Sequence, residues 1–308
     1  MVAPWTPGGE SPFGCFSRQT AVMDREDAET VARALVAGRF PEARAAWLAG
    51  SVVAGTATPT SDLDLTVLLP GRPAPFRESL VHDGWPVELF VHTAGSVDHW
   101  LAKDRARRRP TLGRLIGEGR LLLDVDGAGA AVAGRCRAFL AAGPEPLSDG
   151  DRDALRYGLT DLLDDLADAA APAVRAAVAV ELWRQAADLL LAAGGGWGGT
   201  GKWLVRELAA YDATHGTLFG PRLHDGLVAA VTGDPGPLAR VTDEVLAVSG
   251  GRLWAGYRVS GPVPSADDGP GAGGRGQRAW PPSRAVSASA PRRTASRRGP
   301  TSAPSSEG

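Results

Sequence analysis

Lysine is almost missing from this chain: Lys103 and Lys202 are the only two among 33 basic residues in 308. Arginine carries the rest, as in the Ala, Gly and Arg-inflated composition of a GC-rich coding sequence, so arginine number says little and the two lysines say more. Cysteine is as scarce. Cys15 and Cys136 lie too far apart in sequence to suggest a disulfide framework or a zinc cluster, which fits a reducing cytosol. No apolar run reaches the roughly 18 residues of a membrane span, and the N-terminus lacks the basic-then-apolar layout of a signal peptide. The expectation is a cytoplasmic protein without a membrane partner. A basic surface is lacking too. The segment after Arg258 holds seven arginines and three acids, leaving 26 basic against 32 acidic residues before it. Phosphate backbones call for the opposite sign, so general nucleic-acid binding is not expected and small-molecule substrates fit better.

What is present divides the chain. Residues 1–22 are Pro/Gly-rich and read as a loose N-terminal segment. Residues 259–308 are Pro, Gly, Ser, Ala and Arg with few aliphatics, too little apolar surface to offset ordering entropy, and read as a disordered tail. Between them, residues 23–145 mix periods. A helix is expected from about Asp24, then a buried strand at Ala45–Ala49. Alternation at Leu63, Leu65 and Val67 gives a second strand, and Pro86–Val91 a third. Helices around 97–107 and from Pro110-Thr111, and the apolar run 121–123, complete an α/β half. Residues 146–258 read as helices only. Ser148 opens the first, Pro172 starts another, Gly194 stops it, Thr200 caps one through Tyr211, and two more run near 223–231 and 238–248. The expected fold class is therefore α/β (α+β), a small mixed sheet followed by an all-α bundle and the tail.

Chemistry concentrates at Asp62-Leu63-Asp64. Successive strand side chains alternate in direction, so both aspartates can face one site while Leu63 and Leu65 enter the core. Glu88, flanked by Val87 and Leu89 on a neighbouring strand, can add a third carboxylate. Three carboxylates suit hard divalent cations, and two such cations are what nucleotide transfer needs. Upstream, Gly50 lets backbone approach a phosphate and Ser51 offers a hydroxyl and an amide.

The pattern Gly50-Ser51, Gly55, then Ser61-Asp62-Leu63-Asp64-Leu65 with an acid on a later strand resembles the polymerase-β-like nucleotidyltransferase superfamily. Over about residues 25–250 it is most similar to the aminoglycoside and lincosamide nucleotidyltransferases. The resemblance implies two Mg²⁺ ions on Asp62, Asp64 and Glu88, a nucleoside triphosphate, ATP by default, with its phosphates held by Gly50, Ser51 and Ser61, and catalysis by the three carboxylates. It also implies a small-molecule acceptor hydroxyl, as on an aminoglycoside or lincosamide, and a homodimer. Two alternatives stay open: a protein acceptor, as in toxin-modifying relatives, and a non-catalytic nucleotide-binding regulatory module. Val52 and Val53 depart from the polar or basic residues that often follow this Gly-Ser, so a basic group elsewhere is expected on the triphosphate. Lys202, at a helix start after a Gly-rich stretch and one turn before Arg206, is the candidate; its plainer reading is a solvated helix end.

Other residues have bland readings beside functional ones. His92 shares a strand face with Glu88 yet suits a satisfied structural histidine. Arg105, Arg107, Arg108 and Arg109 suit a solvated helix end, and Asp161, Asp164, Asp165 and Asp168 an exposed helix face. Trp183, Trp197 and Trp203 are expected in the core.

Overall fold

The computed structural model describes residues 25–260. The expected loose segment 1–22 and nearly all of the expected tail 259–308 lie outside the described residues. Helix α1 (Arg25–Arg39) leads into β1 (Ala45–Ala49), the single-turn α2 (Gly50–Ala54) and β2 (Leu63–Leu68). Strands β3 (Phe76–His82) and β4 (Trp85–His92) form a hairpin, followed by α3 (Ala94–Ala106), α4 (Thr111–Gly117), β5 (Arg120–Asp124) and α5 (Ala128–Ala142). Helices α6 (Asp149–Asp168), α7 (Pro172–Ala193), α8 (Lys202–His215), α9 (Phe219–Thr232) and α10 (Gly236–Val248) complete the described chain. The fold is a mixed five-stranded sheet, order β3-β4-β2-β1-β5, followed by helices. Among the described strands only β2 and β4 pair in parallel.

Alternation along the strands gives the sheet two different faces. Leu63, Leu65 and Val67 of β2 and Val87, Leu89 and Val91 of β4 pack with Ala28, Ala32, Leu35 and Val36 of α1. On the other face Ala45, Trp47 and Leu68 pack under α3, α4 and α5 with Val97, Ile116, Val132 and Phe139. Those helices cover one end of the second face and leave the start of β2 and the middle of β4 open. The sheet thus exposes a ledge where Asp64 and Glu88 sit side by side in register.

Three features depart from expectation. Strand β3 was not anticipated, because Glu78 falls on its inward face, where Arg39 pairs with it at 2.5 Å. Its signal was Asp83-Gly84, a two-residue hairpin turn with both φ positive, 47° and 81°. Helix α5 was also missed: Ala and Gly dominate it, and Gly129 lets its start approach Ala45 and Asp124 where a Cβ would meet atoms at 2.8–3.0 Å. Thr200 does not cap α8. The N-cap is Gly201, at φ 53°, with no side-chain cap bond. The Ser148 cap and the Pro172 start of α7 are as read.

The two halves are sewn together by specific groups. Trp197 inserts between them, 5.0 Å from the Phe139 ring centroid, its Nε1 donating to the Leu140 carbonyl at 3.0 Å. Arg108 donates to the carbonyls of Glu145, Ala192 and Gly196, and its own carbonyl accepts from Gly198 N–H at 2.7 Å. Arg105 pairs with Glu145 and Arg107 with Asp104, so the expected solvated arginine cluster is instead partly an internal clasp. Within the bundle, buried Asp212 accepts from Thr217 Oγ1 and from the Phe219 and Gly220 amides, all within 2.8 Å, closing the N-terminus of α9. Asp212→Ala should cost about 2 kcal/mol, because two amide donors and a hydroxyl lose a buried acceptor together. Urea unfolding should show a lower midpoint at unchanged slope.

Candidate active site

Strand order brings the carboxylates together. Asp64 faces Ala49 across the β1–β2 pairing and Glu88 across β2–β4, and Asp62 precedes β2 by one residue. Asp62, Asp64 and Glu88 each offer a carboxylate oxygen, and these lie within 4.8 Å of one another, all half-buried. Burial, then the neighbouring Asp62 and Glu88 charges, push the Asp64 carboxyl up to about 6, against the pull of Lys202 and Arg77. Three hard oxygen donors converge where Arg77 and Lys202 offset only part of the negative charge, a set of ligand atoms that suits a divalent cation.

Gly50 explains its own identity. Its φ is 74°, and a Cβ there would lie 2.0 Å from Asp64 Oδ2. The glycine thus makes room for the Asp64 carboxylate itself. Ser51 Oγ donates to Ser61 Oγ at 2.9 Å, and Ser61 Oγ also accepts from Thr58 N–H at 2.8 Å, tying α2 to the turn that delivers Asp62. Val52, the departure noted above, is buried in the core beneath α2, which accounts for an apolar residue there.

Lys202 acts on the site through space, since its charge lowers the Asp64 carboxyl. One turn on, Arg206 reaches Thr56 Oγ1 at 3.4 Å, bridging α8 to the end of α2. Arg206 and Arg114 lie over the two-ring system of Trp203, each 4.8 Å from its centroid, and Arg114 pairs with buried Glu207 at 2.5 Å. Trp203 is therefore a half-buried stacking post rather than core, unlike Trp197, which is buried. Trp183 is partly buried against the bundle core.

His92 is not part of the site. Four residues beyond Glu88 on β4, about 13 Å along a strand, it is buried beneath α3 and bonded to Ser96 Oγ at 3.0 Å. Burial lowers it to about 4, so it stays neutral. Of the acidic face on α6, Asp161 is pushed up by burial and then by Asp165 and Asp164, and Asp164 faces Arg252 at 3.5 Å.

Sequence reading overlooked Arg77. From β3 it donates Nη2 to Glu88 Oε1 at 2.7 Å, with its guanidinium 5.0 Å from the Phe90 ring centroid. Without β3 on the map, nothing placed residue 77 next to residue 88.

Residues 36–93 match the family model described as a nucleotidyltransferase domain. The match runs from the end of α1 through β4 and contains Gly50, Ser51, Ser61 and all three carboxylates. None of the curated proteins matches the chain. Among solved structures, a nucleotidyltransferase-like protein from Exiguobacterium sibiricum 255-15 is similar at 13% identity and a TM-score of 0.30, covering 71% of this chain and 79% of that one. The matched domain and its carboxylate ledge define an enzyme, a transferase. Its general activity is nucleotidyl transfer from a nucleoside triphosphate. Among the described residues no helix is long and apolar enough to cross a membrane.

Raising Asp64 has a consequence for cation binding. Protons and cations compete for this carboxyl, so affinity should be full above pH 7 and fall as pH drops through about 6. Between pH 7 and pH 5 the ionised fraction of such a group drops about tenfold. Titration of Mn²⁺ followed by electron paramagnetic resonance should show a comparable weakening; a site of ordinary aspartates would change far less.

Proposed function

We propose that this protein is a Mg²⁺-dependent nucleotidyltransferase that moves a nucleoside monophosphate, with ATP as the default donor, to a hydroxyl of a small-molecule acceptor. The convergence of Asp62, Asp64 and Glu88 within 4.8 Å is the observation that carries this reading. Gly50, Ser51 and Ser61 would line the phosphate side, and Lys202 with Arg206 would meet the triphosphate from α8. Two Mg²⁺ ions held by the three carboxylates would neutralise the triphosphate and the charge developing at the α-phosphorus. The acceptor oxygen forms a new ester to the α-phosphorus, the α–β bridge breaks, and pyrophosphate leaves. Glu88, with Oε1 occupied by Arg77, has Oε2 to orient the acceptor hydroxyl and receive its proton. No covalent enzyme intermediate is needed. The resemblance to aminoglycoside and lincosamide enzymes suggests antibiotics as acceptors, with a protein side chain as the alternative. A cytoplasmic setting follows from the cysteine usage.

Pyrophosphate release is the test. It is measured for each nucleoside triphosphate with Mg²⁺, with wild type compared against the Asp62→Asn/Asp64→Asn double variant. Acceptor-dependent release lost in the variant supports the transferase. Nucleotide binding without release would instead indicate a regulatory module.

A further inference from the structure

The sheet lays its chemistry out in one direction. On the β1 side of Asp64 stand Gly50 and Ser51, and Arg206 reaches Thr56 beyond them, so the cations of α8 approach from that side. On the other side β4 carries Glu88 and the edge strand β3 carries Arg77. In phosphoryl transfer the attacking and leaving oxygens lie roughly in line on opposite sides of the phosphorus. With the triphosphate over β1 and α2, the acceptor must enter over β4 and β3. The floor there is read from the register: Ser79 lies beside Glu88, Arg77 beside Phe90 and Val81 beside Pro86. Arg77, Ser79 and Val81 are exposed on this face, while Glu78, the other charge on β3, points to the opposite face against Arg39. Glu88 is thus the one acid on this floor, and it belongs to the catalytic cluster.

We infer that the acceptor carries an anionic group, a phosphate or carboxylate, bound by Arg77 beside its reacting hydroxyl. This rests on the transferase reading above. The guanidinium is already placed, stacked on Phe90 and bonded to Glu88 through one of its five N–H donors, with the side chain 60% exposed. A fixed, exposed guanidinium suits a carboxylate or phosphate, which it can grip with two parallel bonds. It repels an ammonium-rich molecule. The floor therefore departs from the aminoglycoside acceptors that the resemblance suggests.

The test uses the full chain, Mg²⁺ and α-labelled nucleoside triphosphates. A small-molecule cell extract is split by ion exchange into anionic, neutral and cationic fractions, with kanamycin and lincomycin run alongside. Labelled product should form with the anionic fraction. Phosphatase treatment of that fraction then separates the sources, since a phosphate acceptor is destroyed and a carboxylate acceptor survives. Arg77→Ala should raise the KM for the acceptor at least tenfold while the KM for nucleotide moves less than threefold, and Arg77→Lys should recover part of the loss. Label arising only from the neutral or cationic fractions or from the antibiotics, or an unchanged acceptor KM in Arg77→Ala, overturns the acceptor class. Turnover that survives Asp64→Asn overturns the transferase reading instead, so the two failures are distinguishable.

Discussion

Asp64→Asn should abolish turnover and at the same time raise the stability of the metal-free protein. The two effects have one origin. Asp64 is half-buried against Asp62 and Glu88, and its carboxyl is held up at about 6 against the usual 3.8. A group raised in the fold binds its proton more tightly there than in the unfolded chain. Below about pH 4 both states are protonated and nothing is lost; as pH rises to 6 and beyond, the ionised form costs the fold stability. At neutral pH the full shift would correspond to about 3 kcal/mol, and partial exposure of the group reduces this to about 1–2 kcal/mol. Asparagine keeps the shape and removes the charge, so thermal unfolding in EDTA at pH 7.5 should occur several degrees higher in the variant, and the gain should vanish near pH 4. Activity goes the other way. Losing an anionic ligand of the cation that would neutralise the transition state should reduce kcat by on the order of 10³-fold. A variant that lost activity while also losing stability would mean that Asp64 is a structural residue.

Gly50→Ala should damage the fold and the site together. Left-handed backbone costs an alanine about 1 kcal/mol, and here the methyl would also lie 2.0 Å from Asp64 Oδ2. Ala49 and Leu65 on the two paired strands are buried, so the backbone has little room to give. Either α2 lifts or Asp64 swings off the ledge. The expected result is a loss of about 2–4 kcal/mol, with residual activity at least 100-fold down even in the folded fraction if Asp64 is the catalytic carboxylate proposed above. Gly55→Ala is the control: it shares the backbone strain, at φ 71°, but a Cβ there meets nothing within 4 Å. It should lose some stability and keep most of its activity.

Much of the site was legible because it lies on strands whose alternation is clean. Leu63, Leu65 and Val67 set the register of β2, and with it the direction of Asp64; Val87 and Leu89 do the same for Glu88. What stayed hidden was set by partners distant in sequence. Glu78 is a half-exposed charge on the inward face of β3, paired with Arg39, and no local pattern announces that pairing. Once β3 is unread, Arg77 has no place and its ion pair with Glu88 goes unseen. Lys202 stood out through the near-absence of lysine elsewhere. Its tie to Asp64, however, depends on how α8 crosses the sheet half, which periodicity does not encode. Trp203 was read as core because tryptophan usually is; the two arginines over its rings make it a post instead.

Trp197 has a consequence for recombination between such enzymes. Its indole fills the space beside Phe139 and bonds the Leu140 carbonyl, so the hydrophobic cluster under α3, α4 and α5 is completed by a residue from the far half of the chain. A chimera that grafts a foreign helical half onto this sheet inherits an open socket at Phe139, and it forfeits the positive charge of Lys202 over the carboxylates. The two halves are in this sense one hereditary unit: single substitutions on the exposed face of β3 leave that seam intact, but exchanging whole halves would break the molecule there.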